Sequence, residues 1–211
     1  MTDPIRRLID ESERYLRRFD IEGAREVVSG IARWKGGPLH GLTPQPDPRC
    51  GFLDEAVDAM SGADELRSAI TAARPFLNWV TYDLYPREDI GPRFPEAHAF
   101  ASLIGGDAPV YADDFELGLF MIMPGTLYRD HHHAAPEIYL PLTGPHGWRF
   151  GTDQIFHDKP AHEPVWNPAW TVHATLVKQV PFLCLFGWTR DVNIPAKTVS
   201  APDWDMIEAR L

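Results

Sequence analysis

The sequence predicts a mainly β protein preceded by an N-terminal α-helical segment. Through residues 1–80 apolar side chains recur at intervals of three and four, the period of a helix face. From about residue 98 that pattern gives way to short runs of aromatic and branched residues, separated by Gly, Pro and Asp, as expected of closely spaced strands. The chain therefore divides into a helical segment, 1–97, packed on a β domain, 98–211.

The elements follow in order. Ile5, Leu8, Ile9, Leu16 and Phe19 form one stripe, with Arg and Glu between them, and Asp3-Pro4 supplies an N-cap and a first-turn proline. Ala24, Val27, Val28 and Ile31 mark a second helix that stops before Gly36-Gly37-Pro38. Residues 36–51 repeat Gly and Pro and read as loop. Phe52, Leu53, Ala56, Val57 and Met60 predict a third helix. Leu66, Ile70, Ala73 and Leu77 predict a fourth, with Asp64 near its start. These stripes read as packing surfaces that cover the β domain, its open end or a partner subunit. Strands are expected at Ala99–Leu103, Glu116–Met123, Glu137–Leu142, Trp148–Gly151, Pro164–Trp166, Val172–Lys178 and Phe182–Thr189. Pro124, Pro136, Pro141, Pro164, Pro168 and Pro181 fall at strand ends or edges, where a missing donor is tolerated.

Composition excludes several functions. A chain of 211 residues accommodates one domain and an added segment. Its formal charge is -10 and it has no Lys/Arg-rich run, which argues against nucleic-acid binding. Two cysteines, Cys50 and Cys184, make no disulfide framework, and Cys184 lies in an apolar run as a small buried hydrophobe. The N-terminus, MTDPIRRLIDESE, shows no signal-peptide pattern, and no apolar stretch is long enough to span a membrane. A cytoplasmic location is the default expectation.

The chemistry concentrates in Gly125–Gly144, GTLYRDHHHAAPEIYLPLTG. On a strand, His131 and His133 leave the same face. Glu137 and Tyr139 share their parity and return to that face if a second extended run follows Pro136, whereas His132 points away. Imidazole and carboxylate groups converging in this way suit a divalent transition metal such as Zn, Fe, Mn or Ni.

The spacing Gly125-x5-His131-x-His133-x3-Glu137-x6-Gly144 resembles the first motif of the cupins. The run Pro168–His173 resembles their second motif, although Trp170 stands where glycine is usual and Val177 where asparagine is common. This resemblance, over roughly residues 100–190, implies a cupin barrel: a double-stranded β-helix, or jelly roll. It also implies His173 as a fourth ligand beside His131, His133 and Glu137. Four protein ligands on a six-coordinate metal leave positions open for substrate, which marks a catalytic site. A generic cupin does not call for Tyr139. A nearby dication favours its phenolate and brings it into range as a base. Tyr128 is a second candidate for the cavity. Trp148, Trp166, Trp170 and Trp188 supply aromatic faces that can bind an organic cation.

The combination His-x-His-x3-Glu-x-Tyr, behind a helical segment, looks like the cupin-type dimethylsulfoniopropionate (DMSP) lyases, the DddQ group in particular. That resemblance implies β-elimination of DMSP to dimethyl sulfide and acrylate. It assigns one divalent metal (Zn, Fe, Mn, Co or Ni) to His131, His133, Glu137 and His173, the general base to Tyr139, and substrate contacts to Tyr128 and Trp188. The partner is a small-molecule substrate, with neither nucleic acid nor membrane, and the chain is a monomer or homodimer. Other cupin roles remain open from sequence, namely an Fe-dependent dioxygenase or a non-enzymatic zinc sensor resembling anti-sigma factors.

Overall fold

The computed structural model describes residues 3–211. Four helices open the chain: α1 (Pro4–Leu16), α2 (Glu22–Trp34), α3 (Leu53–Ala59) and α4 (Asp64–Ala73). Two single-turn helices follow, α5 (Arg87–Ile90) and α6 (Phe94–Ala97). The strands are β1 (His98–Gly105), β2 (Val110–Tyr111), β3 (Glu116–Ile122), β4 (Thr126–His132), β5 (Glu137–Pro141), β6 (His146–Phe150), β7 (His157–Lys159), β8 (Val165–Asn167), β9 (His173–Val177), β10 (Phe182–Trp188) and β11 (Lys197–Thr198). A short helix, α7 (Trp204–Glu208), closes the chain.

Local chemistry sets the helix ends. The Asp3 carboxylate accepts from the backbone N–H groups of Ile5, at 2.9 Å, and Arg6, at 3.3 Å, and so satisfies donors that α1 leaves unpaired. α4 stops at Ala73, earlier than the stripe through Leu77 suggested. Pro75 breaks the α-helical hydrogen bonding, and Arg74–Phe76 tightens into a 3-10 turn instead. Leu77 is nonetheless buried, in extended backbone beyond that turn.

The strands form a six-stranded sheet, β2-β1-β3-β10-β5-β8, and a five-stranded sheet, β11-β4-β9-β6-β7. All strand pairings are antiparallel except β1 with β2. The two sheets face each other as a jelly roll, with Phe120, Tyr139 and Phe182 of one meeting Tyr128, Trp148 and Val177 of the other.

The six-stranded sheet is covered on both faces. Along β10, Leu183 and Leu185 pack with the N-terminal helices, while Phe182, Cys184 and Phe186 point between the sheets. The same alternation divides Leu117, Leu119 and Met121 from Phe120 and Ile122 in β3, and Ile138 and Leu140 from Tyr139 in β5. This is why β10 reads FLCLFGW, apolar at nearly every position. Its outward face carries a contact that needs glycine. A Cβ at Gly187 would lie 2.6 Å from Val27 Cγ2 and 3.0 Å from Val27 Cγ1, and Val27 is fully buried.

α2 therefore rests directly on the β10 backbone. Gly187→Ala is expected to lower folding stability by about 1–3 kcal/mol through overpacking. Val27→Ala in the same chain should recover part of that loss, giving a coupling of about 1 kcal/mol in chemical denaturation. Additive effects of the two substitutions would mean that the helix and strand are not in this contact.

Candidate active site

His131 and His173 occupy directly opposed positions on β4 and β9. Their rings meet edge to face at 4.1 Å, and the His133 ring lies 5.2 Å from that of His173. All three are buried, and one ligand nitrogen from each falls within 4.8 Å of the others. The nitrogen turned toward the cluster is the same in every case. Nδ1 of His131 donates to the Arg129 carbonyl at 2.8 Å, Nδ1 of His133 to Ala135 at 2.7 Å, and Nδ1 of His173 to Thr171 at 2.8 Å. A carbonyl only accepts, so each Nδ1 carries a hydrogen, and Nε2 is the atom left to face the cluster.

The Nε2 atoms of His131 and His173 are buried and have no hydrogen-bond partner. Buried polar atoms are ordinarily paired, and two aimed at one point need an explanation. Glu137 reaches the same point, its Oε2 lying 3.1 Å from His133 Nε2 and 3.4 Å from His173 Nε2. Three imidazole nitrogens with locked tautomers and one carboxylate are a donor set that suits a divalent transition metal.

The charge states follow from these contacts. Burial opposes ionisation of Glu137, but the charge and hydrogen bond of His133 outweigh it and hold the carboxyl well below the usual range. Burial likewise opposes charge on His133, and Glu137 outweighs it and raises the imidazole. His131 is pushed well below its ordinary value, first by burial and then by His173 and His133.

Supporting contacts fix the carboxylate. Trp188 faces Glu137 across β10 and β5, and its indole N–H donates to Glu137 Oε1 at 2.7 Å. Asn167, opposite Glu137 on β8, reaches Oε2 at 3.5 Å. Asn167 was not among the residues that the sequence singled out. Its signal was its place immediately before Pro168, the start of the second motif.

Glu137, Tyr139, Tyr128 and Trp188 all line one cavity of about 520 Å³ between the sheets. The Tyr139 ring is 6.2 Å from that of His173. Burial, and then the Glu137 charge, push its phenol well above the ordinary value. Tyr128 stacks on His131 at 3.9 Å, and its hydroxyl is 2.8 Å from that of Tyr85. Tyr128 and His131 are three apart, so strict alternation would set them on opposite faces. Between these two residues β4 takes three steps while β9 takes two, and this bulge brings both inward. His132 points away, where its ring meets Trp170 at 5.3 Å.

The stack extends further. Phe94 lies between Tyr128, at 3.9 Å, and His98, at 4.1 Å, so four rings run from β1 to His131. His98 donates from Nδ1 to the Phe94 carbonyl and accepts the Tyr82 N–H at Nε2. Among the other tryptophans, Trp148 is buried in the interior, Trp166 packs against α2 at Gly23, and Trp170 is half exposed. Trp170 has a φ of 62°, which explains why glycine is favoured at this motif position.

The family model for dimethylsulfoniopropionate lyase matches residues 38–184. The chain belongs to the DMSP lyase family. Its fold is shared with DMSP lyase DddQ from Ruegeria pomeroyi DSS-3, with a TM-score of 0.71 and 23% identity, covering 96% of this chain and 98% of that one. A structure described as DMSP lyases RdDddP and RnDddQII gives a TM-score of 0.66 at 17% identity, covering 93% of this chain and 98% of that one. A search of curated proteins gives no match. Among the described residues no helix is long and apolar enough to cross a membrane. The sequence expectations of the DMSP lyase family and of a jelly roll behind a helical segment are met.

Two measurements follow. His133→Ala is expected to lose the bound divalent metal, whereas His132→Ala retains most of it, as read by elemental analysis; equal loss would contradict this strand register. The second concerns His98, pushed by burial down to about 4. The unfolded imidazole keeps its ordinary value near 6.5, so between those values the unfolded chain binds the extra proton. Native stability then falls as pH drops from 6.5 to 4. The stability gap between wild type and His98→Gln should narrow by roughly 2 kcal/mol between about pH 7.5 and 5. A gap independent of pH would contradict a buried neutral His98.

Proposed function

We propose that the protein cleaves DMSP to dimethyl sulfide and acrylate by β-elimination. His131, His133, Glu137 and His173 would hold one divalent transition metal, and Tyr139 would act as the general base. The observation that carries this reading is the position of Tyr139. In a chain of the DMSP lyase family, it shares a cavity wall with Glu137, and its ring lies 6.2 Å from that of His173, one of the three convergent imidazoles. A divalent cation held there would polarise the substrate carboxylate and favour ionisation of the nearby phenol.

The remaining roles fall to the chain's own groups. Tyr139 Oη takes the proton from the carbon next to the carboxylate. The electrons of that C–H bond form the double bond of acrylate, and the C–S pair leaves with sulfur as neutral dimethyl sulfide. No acid is needed for that departure. Trp188 holds Glu137 in place through its indole N–H, and its ring also faces the cavity. Tyr128 orients His131 by stacking, and its hydroxyl is engaged with Tyr85, which supports Tyr139 over Tyr128 as the base.

The test is headspace dimethyl sulfide from metal-loaded protein given DMSP. Wild type is expected to release it, at a rate that rises toward alkaline pH as the phenol ionises. Tyr139→Phe should keep its metal yet turn over ~100-fold or more slowly. Wild-type turnover by a folded, metal-loaded Tyr139→Phe protein would remove Tyr139 from the mechanism. Absence of dimethyl sulfide from wild type would remove DMSP as the substrate.

A further inference from the structure

Glu116 has no role in the chemistry above, yet it lines the same cavity. It starts β3 at a position directly opposite Trp188 of β10, and Trp188 is directly opposite Glu137 of β5. The three side chains thus form one row across the interior face of the sheet. Glu116 and Glu137 are separated by two strand spacings, about 10 Å between backbones, with the Trp188 indole between them.

The surroundings of Glu116 lack a counter-ion. The Ser102 hydroxyl donates to its Oε1, and Glu116 forms no ion pair among the described residues. Among the described residues, no Lys or Arg lines the cavity. The nearby wall is aromatic instead. Phe186 meets Phe100 at 6.3 Å and Phe120 at 6.4 Å, edge to face, and all three rings line the space. A half-buried carboxylate without a cationic neighbour, set among ring faces, is the environment that receives an organic cation.

We propose that Glu116 is a specificity-determining residue that receives the cationic end of the substrate and selects zwitterions over uncharged carboxylates of the same shape. This rests on the reading of Glu137 and the imidazoles as the carboxylate-binding end. DMSP has two methylenes between its carboxylate and its sulfonium. With its carboxylate at the imidazole cluster, it projects the cation along the row, past Trp188 and toward Glu116. Cleavage converts the sulfonium into a neutral sulfide, so the attraction to Glu116 disappears when the C–S bond breaks. The acrylate left behind is an anion in a cavity lined by carboxylates and is not retained by Glu116.

The test uses two ligands matched in shape, 3-(trimethylammonio)propionate and the uncharged-tail 4,4-dimethylpentanoate, titrated by calorimetry into metal-loaded wild type and Glu116→Gln. Wild type is expected to bind the cationic ligand more tightly. Glu116→Gln should lose about tenfold of that affinity while keeping its affinity for 4,4-dimethylpentanoate, which also reports that the site is folded. An unchanged preference for the cation in Glu116→Gln, or an equal loss for both ligands, would overturn the proposal. The readout is independent of turnover. A protein that releases dimethyl sulfide but shows no Glu116-dependent preference refutes only this inference. A protein that prefers the cation but releases none refutes only DMSP cleavage.

Discussion

The site depends on three short hydrogen-bonded loops of backbone. In each, a histidine Nδ1 donates to a carbonyl two residues away, at Arg129, Ala135 or Thr171. A side chain bonded to its own neighbourhood cannot rotate independently of the strand that carries it. Ring direction and tautomer are therefore set by the backbone. The pairing of His131 with His173 then decides where two of the lone pairs meet. A slip of one residue in that register would turn one of them outward and leave its partner buried without a purpose.

That register is held from outside the cavity. The β4 bulge turns both Arg129 and Asp130 toward α7. Arg129 pairs with Glu208 at 2.8 Å and lies over the Trp204 ring. Asp130 accepts from Arg149 Nε at 2.9 Å and from the Trp204 indole at 2.8 Å, and Arg149 also reaches Asp203. Arg149 and Asp130 are fully buried, so removing either partner would strand a charge. On the opposite side, the helices that sequence periodicity predicted close the outer face of the six-stranded sheet. Both sheets are thus braced from behind, and the space between them is left to Glu137, Tyr139, Trp188 and Glu116.

Much of this was legible in the sequence because periodicity of two and of three to four are direct images of burial. His131, His133, Glu137 and Tyr139 could be set on one face by counting, and His132 on the other. What counting missed arises where the period breaks. The bulge between Tyr128 and His131 adds a residue that alternation cannot anticipate, and only strand pairing reveals it. Tyr85 reaches the site from a connection before α5, with no strand or helix pattern to announce it. Glu116 was visible only as the first residue of a strand. Its meaning comes from facing Trp188, a pairing across 72 positions of sequence. The left-handed backbone at Trp170 shows the converse. A departure from the glycine of the motif was readable, but it did not alter the path of the chain.

The central claim is that three imidazoles meet at one metal through their Nε2 atoms. X-ray absorption and anomalous diffraction on the metal-loaded protein test it directly. The account predicts a single ion about 2.0–2.2 Å from Nε2 of His131, His133 and His173, with Glu137 beside it. An ion bound through Nδ1, one that leaves any of the three histidines uncoordinated, or no ion between β4 and β9 would contradict it.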